Sequence, residues 1–201
     1  MIDSNQQTIQ AYEAHVKEYM EGTPQDVSDA EKEWFSRMLS GLPKNASILE
    51  IGSATGRDAA YVESLGYTVE PSDATRAFVR LLTQAGHTAR LLNILTDELT
   101  GPYDLIFAKA VLLHFTPSEV SQVIRKVWAA LAPRGRFAFT VKEGVGEAWS
   151  AEKLGVPRYY CYWTMEAIEK VVRDAGFTKT QLAGDRVNAK TSWVQVIASK
   201  E

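Results

Sequence analysis

Cysteine is almost missing from this sequence: Cys161 stands alone among 201 residues, so no intramolecular disulfide framework staples the chain. Histidine is scarce too, and three histidines with one cysteine leave little material for a zinc centre. Basic charge is not in excess. The 22 Lys and Arg face 25 Asp and Glu, a net charge of −3 with a pI near 5.7, which gives no positive field to gather a phosphate backbone or an anionic membrane surface. No apolar run reaches membrane-spanning length, and the opening MIDSNQQTIQ lacks the basic-then-apolar order of a secretory signal. No repeat, low-complexity tract or linker divides the chain. These absences leave one compact domain over residues 1–201, large enough to bury a sizeable core. It is expected in a reduced, cytoplasmic setting, with neither metal, nucleic acid nor membrane as partner.

What the sequence does contain is a regular exchange of apolar periods. Ile9, Tyr12, Val16, Tyr19 and Met20 share one helical face, and Ser28 with Glu31 forms a capping box ahead of Trp34, Phe35, Met38, Leu39 and Leu42. Two helices are therefore expected within residues 1–45. From Ser47 strands and helices alternate: SILEIG (strand), RDAAYVESLG (helix), TVEPSD (strand), TRAFVRLLTQAG (helix), ARLLNI (strand) and YDLIFAKAV (strand). A helix opened by Thr116, Pro117 and Glu119 follows, then the turn APRGR, the strand FAFTVKE and the helix TMEAIEKVVRDAG. KTQLAG and TSWVQVIAS close the chain as strands. This rhythm predicts a doubly wound, mostly parallel α/β sheet with helices on both faces. The DRVNAK connection is too short for a parallel crossover, so one closing strand runs antiparallel.

In such a sheet, ligands sit beyond the carboxyl ends of the strands, near the first strand-to-helix turn. The turn here is Glu50-Ile51-Gly52-Ser53-Ala54-Thr55-Gly56-Arg57-Asp58. A dinucleotide fingerprint would place glycine at 52, 54 and 57, and only Gly52 complies; a P-loop would need a Lys followed by Ser or Thr, which the turn lacks. Glu50 would repel a pyrophosphate and attract a cationic amino-acid moiety. Asp73, 21 residues after Gly52, stands where a carboxylate accepts from both ribose hydroxyls, and it could equally cap the helix that follows. An adenosine without a pyrophosphate satisfies both features.

The segments LEIGSATGRDA, YTVEPSDAT and YDLIFAKAVLLHF, in that order and spacing, resemble the successive motifs of class I S-adenosylmethionine-dependent methyltransferases. FTVKEGVGE followed by RYYCYWTMEAIEKVVRDAGF is similar to the tail of the family's small-molecule branch. The resemblance covers roughly residues 47–199 and implies a Rossmann-like seven-stranded sheet over 46–201, covered by the helices of 1–45. It implies that Glu50 and the turn of Gly52, Ser53, Ala54 and Gly56 hold the methionine part of S-adenosylmethionine, with Asp58 also counted among the cofactor-binding residues. Asp73 would bind the ribose hydroxyls, Ala74 would pack on the adenine, and Asn93 with Ile94 would stand where the family has its adenine-contacting Asp. Ala108 and Lys109 would line the methionine side, and Tyr12 and Tyr19 would lie over the cofactor. Two departures stand out: Ala54 replaces a glycine, tolerable if its φ is negative, and Asn93 replaces the Asp.

For the methyl acceptor the sequence offers His114, at the end of AVLLH, either as a general base or as a core residue packed on the cofactor. Lys142 and Glu143 end the fifth strand, and Glu147, Arg158, Tyr159 and Tyr160 lie after it among further aromatics, in a segment over 144–163 expected to act as a lid; all six are expected to meet the substrate. Lys109 would be repelled by a sulfonium unless neutralised, so it is expected to reach Glu143 or Glu147, or to bind an anionic substrate group. The implied activity is methyl transfer to an O or N nucleophile of a small molecule, by a monomer or homodimer. A protein side chain as acceptor, and a protein that binds S-adenosylmethionine without catalysis, remain the alternatives.

Overall fold

The structure, a computed structural model, describes residues 3–188 and 191–201; Ala189 and Lys190, in the connection between the closing strands, lie outside the described residues. Three helices, not two, precede the sheet: α1 (Ser4–Ala14), α2 (Val16–Glu21) and α3 (Asp29–Leu39). The continuous face expected from Ile9 to Met20 is broken at His15, whose backbone leaves the helical region at φ −128° and ψ 37°. Asp3 caps α1 and the full capping box of Ser28 and Glu31 opens α3, so each start satisfies amides that would otherwise be orphaned.

The sheet then builds from β1 (Ile48–Ile51), β2 (Glu70–Asp73), β3 (Arg90–Leu91), β4 (Tyr103–Ala108) and β5 (Leu131–Glu143), with α4 (Arg57–Ser64), α5 (Arg76–Gln84) and α6 (Pro117–Ala130) between them. A short 3₁₀ turn, Leu112–His114, follows β4. The chain continues as β6 (Gly146–Ser150), β7 (Arg158–Trp163), α7 (Met165–Asp174), β8 (Lys179–Asn188) and β9 (Thr191–Ser199). β3, β2, β1, β4 and β5 are mutually parallel neighbours, and β9 pairs antiparallel with both β5 and β8, so it is the reversed strand that the short connection required.

The seven strands expected from the sequence are β1 to β5, β8 and β9. The additional pair comes from the segment read as an irregular lid: β6 and β7 form an antiparallel hairpin, and β7 joins the end of β5 in parallel at Lys142 and Glu143. APRGR is not a separate turn but an irregularity inside β5, where Arg134 takes a φ of 65° and the register against β4 shifts.

Strand periodicity sorts the core into two layers. Leu49, Ile51, Ile106 and Ala108 pack with Val120, Val123, Ile124 and Val127 of α6 and Ile168 and Val172 of α7. Ile48, Leu105 and Phe107 face the other way, onto Trp34, Phe35 and Met38 of α3 and Ala59 and Val62 of α4. Glu50 shares the parity of Ile48, so the alternation alone sends its carboxylate toward the α3 and α4 layer. Among the described residues no helix is long and apolar enough to cross a membrane.

Candidate active site

After Ile51 the chain reverses on Gly52 at φ 75°, a left-handed conformation that glycine adopts without steric cost. Space requires glycine as well: a Cβ there would lie 2.4 Å from Cγ2 of Val111. The amides of Gly52 and Ser53 both donate to the Ser72 carbonyl at 2.8 Å, and Ser53 Oγ accepts from the Ser72 amide at 3.0 Å, fastening the turn to the end of β2. Asp73 completes the fastening. Its Oδ2 accepts from the Ala54 amide at 2.9 Å and its Oδ1 from the Thr75 amide at 2.8 Å. Thr75, not Asp73, is the N-cap of α5, so the helix-capping alternative takes the form of a turn closed two residues on. Ala54 does not take the negative φ that would make it strain-free: φ is 47°, a region costing an L-residue roughly 1–2 kcal/mol.

A cavity of about 350 Å³ opens beside this turn. Of the residues expected to hold the cofactor, Tyr12, Tyr19, Gly52, Ala54, Asp73, Ala74, Asn93, Ile94 and Lys109 line it, whereas Glu50, Ser53, Gly56, Asp58 and Ala108 do not. Glu50, Ser53 and Ala108 are buried behind the wall. Gly56 serves the backbone instead: at φ 81° it starts α4, where a Cβ would meet Leu82 at 2.6 Å. Asn93 lines the cavity, but its amide is committed, with Nδ2 donating to Asn5 Oδ1 at 2.8 Å and Oδ1 accepting from the Leu95 amide at 3.1 Å. It therefore ties α1 to the sheet.

The expected partners of Lys109 are corrected by the structure. Neither Glu143 nor Glu147 meets it; Lys109 pairs with Glu31 of α3 and, at 3.4 Å, with Asp58 of α4. Arg57, which entered the sequence analysis only as a missing glycine, holds the same group together, reaching Glu31 at 2.9 Å and Asp58 at 2.8 Å. Glu31 thus serves twice: Oε2 closes the capping box on the Ser28 amide while Oε1 takes Arg57 and Lys109. Burial pushes its carboxyl up, but the Lys109 hydrogen bond and charge outweigh that and hold it at about 2. Glu50 lies behind these groups, one of its oxygens buried without a partner. Burial, and next the charge of Asp58, push its carboxyl up to about 8. With Glu50 protonated, Glu31 and Asp58 balance Lys109 and Arg57; ionising Glu50 would leave the cluster one positive charge short of neutral.

At the other end of the cavity stand Tyr12, His114, Lys142, Arg158 and Tyr160. Glu143, at the end of β5, and Glu147, on the hairpin, are exposed, Glu147 accepting from the Tyr159 hydroxyl at 2.5 Å, and Tyr159 does not line the cavity. His114 Nδ1 sits 2.7 Å from the Tyr159 carbonyl and Nε2 2.9 Å from the Tyr12 hydroxyl. The carbonyl can only accept, so Nδ1 carries the proton and Nε2 accepts from Tyr12. Burial first, then the charges of Arg158 and Lys142, push the imidazole down to about 3. Near neutral pH it is uncharged and a feeble proton acceptor, so its role as a base standing alone is corrected to that of a group orienting Tyr12. Sequence reasoning missed Asn5, Thr8 and Phe78, which also line the cavity. Thr8 accepts from the Tyr159 amide at 3.2 Å and Phe78 meets Tyr19 edge to face with ring centres 5.2 Å apart; neither sits in a motif that would have marked it.

A family model described as a methyltransferase domain matches residues 16–182. The chain belongs to the methyltransferase-domain family. It is a class I methyltransferase, and S-adenosylmethionine is its cofactor. Comparison with curated proteins returns no match. Among solved structures, the methyltransferase is similar to the 1,6-didemethyltoxoflavin-N1-methyltransferase of Burkholderia thailandensis, bound to 1,6-didemethyltoxoflavin and S-adenosylhomocysteine. The TM-score is 0.72 at 22% identity, over 100% of this chain and 92% of that one. It is also similar to magnesium protoporphyrin IX methyltransferase from Synechocystis PCC 6803 with S-adenosylmethionine bound, at a TM-score of 0.77 and 16% identity, over 100% and 99% of the two chains. At such identities the likeness is one of fold. The residues present fit the cofactor on their own chemistry. Asp73 offers a carboxylate at the cavity wall, and Glu50, protonated in the free chain, could ionise to match an ammonium.

Proposed function

We propose that this methyltransferase transfers a methyl group to a nitrogen or oxygen of a small molecule held between α1, the 3₁₀ turn and the β6–β7 hairpin. The observation that carries this reading is the single cavity running from Asp73 and the glycine turn to Tyr12, His114 and Arg158. Its volume is in the range of small-molecule sites. When bound, S-adenosylmethionine supplies a methyl group activated by its sulfonium. The chain has then to align the acceptor and exclude water. Asp73 and the turn fix the adenosine end, and Tyr12, Tyr19 and Phe78, whose rings lie 5.2–6.2 Å apart, cover it. The hairpin over residues 144–163 closes the acceptor end as a lid.

At that end the Tyr12 hydroxyl meets the acceptor. His114 receives the Tyr12 proton in its hydrogen bond and Arg158 donates to the Tyr12 oxygen at 2.8 Å, so the phenol is held from two sides. The test is incubation of the cofactor-loaded chain with a panel of small amines, alcohols and phenols, followed by S-adenosylhomocysteine release and product mass. Turnover with a member of the panel, and its loss in Asp73→Ala, is the expected result. Cofactor binding without turnover on any acceptor would identify a non-catalytic binder, and transfer to proteins alone would move the acceptor to a side chain.

A further inference from the structure

The two ends of the cavity differ in charge balance. Beside the glycine turn each cation has its carboxylate, Lys109 and Arg57 being matched by Glu31 and Asp58. Under the hairpin this matching fails. Arg158, the first residue of β7, is 2% exposed and forms no ion pair with any described residue. One nitrogen donates to the Tyr12 hydroxyl, while Nε is buried without a partner. Lys142, at the end of β5, lines the same end with its Nζ 4.6 Å from the centre of the Tyr160 ring; the Arg158 guanidinium lies 5.3 Å from that ring centre. Lys153 adds a third positive charge from the rim, bonded to Thr23 Oγ1 at 2.7 Å. Against these three cations the one carboxylate lining this end among the described residues is Glu152, which is exposed, forms no ion pair with them and reaches Lys142 only by its charge at longer range. A guanidinium taken out of water is costly unless an anion compensates it, and its planar fork matches the two oxygens of a carboxylate or phosphate.

We propose that the methyl acceptor carries an oxyanion, a carboxylate or a phosphate, which Arg158 seats with Lys142 alongside while the nucleophilic atom faces Tyr12. This assignment rests on the methyltransferase reading of the same cavity and narrows it to anionic acceptors. It also explains why a cation is buried where the described residues supply no anionic partner for it.

The test titrates inorganic phosphate and acetate, separately, into the full chain by calorimetry, with and without saturating S-adenosylhomocysteine, whose own binding is measured in parallel. At least one anion is expected to bind, with roughly tenfold or greater weakening in Arg158→Met, as for loss of a charge-assisted pair. Lys142→Met is expected to weaken the same anion less. Preference for phosphate assigns a phosphorylated acceptor and preference for acetate a carboxylic acid. Thermal melts separate this role from a structural one: because Arg158→Met removes a buried charge that the free chain leaves unpaired, its Tm is expected to hold or rise. Absence of anion binding to the wild type, or equal binding to wild type and both variants, overturns the proposal. So does a fall in Tm of Arg158→Met with anion binding retained. Failure of the methyltransferase reading shows separately, as absence of S-adenosylhomocysteine binding to the wild type.

Discussion

Ala54 and Glu50 are the two residues at which the turn holds tension. Ala54 sits at φ 47°, kept there by the bond from its amide to Asp73. Ala54→Gly removes the Cβ conflict, worth roughly 1–2 kcal/mol, and adds unfolded-state entropy worth about 0.5–1 kcal/mol. Urea denaturation is therefore expected to show a net gain between about zero and about 1.5 kcal/mol. Glu50 presents an electrostatic tension. Its carboxyl, pushed up to about 8 by burial and then by Asp58, is protonated at neutral pH. An ammonium placed beside the cluster favours the charged form, so cofactor binding at pH 7 is expected to release a proton. Calorimetry of S-adenosylhomocysteine binding in buffers of different ionisation enthalpy reads the release directly, and Glu50→Gln should abolish it. Release of the same size from the Gln variant would place the linked proton elsewhere. Neither tension was legible in the sequence, because the first depends on Asp73 being brought to Ala54 across 19 positions and the second on the burial of Glu50 beside Asp58, both of which the fold decides.

Among the elements, α1 stands out for what it buries. Its buried residues are Asn5, Thr8 and Ala11, and its attachments are polar: Asn5 to Asn93, Thr8 to the Tyr159 amide, Tyr12 to His114 and Glu13 to the amide opening α5. An element docked by hydrogen bonds with little apolar burial opens at low free-energy cost. Its amides are expected to exchange faster than those of β4 and β5, and to slow when S-adenosylhomocysteine binds. Equal protection of α1 and the central strands in the free chain would mean that it is not a cover. The elements that could be read from sequence carry a clean period or a cap: α3 and α6 with their capping boxes, and β1, β4 and β9. The β6–β7 hairpin could not, because β7 is buried at nearly every position and β6 is exposed at nearly every one, so neither shows the alternation that marks a strand.

Across the whole molecule, the carboxylates around the turn set opposite pH limbs. Glu31, held at about 2 in the fold against an ordinary value of 4.5, binds fewer protons folded than unfolded in that interval. Its contribution is present above about 4.5 and lost as pH falls through about 2. Glu50, raised to about 8, has the reverse sign: its contribution is full below about 4.5 and is lost as pH rises through about 8. Tm is therefore expected to fall on both sides of an intermediate pH. Glu31→Gln should flatten the acid limb and Glu50→Gln the alkaline one. An alkaline limb unchanged in Glu50→Gln would show that its carboxyl ionises freely in the fold.

The sequence by itself determined the class of sheet, its order of strands and helices, the reversed strand near the end, and the turn and Asp73 where the cofactor is proposed to bind. Each of these is written locally, in periods of two and 3.6, in caps, and in the spacing between a glycine turn and a carboxylate. Only the tertiary structure decided which charges meet. Lys109 finds Glu31, 78 positions away, in place of Glu143 and Glu147, which stand closer in sequence. Tyr12 finds His114 and Arg158 across 102 and 146 positions. Ion pairs and buried hydrogen bonds depend on distance through space and on the loss of water around them, neither of which has a local signature in the chain. The cofactor end is therefore a property of a motif, and the acceptor end a property of the fold.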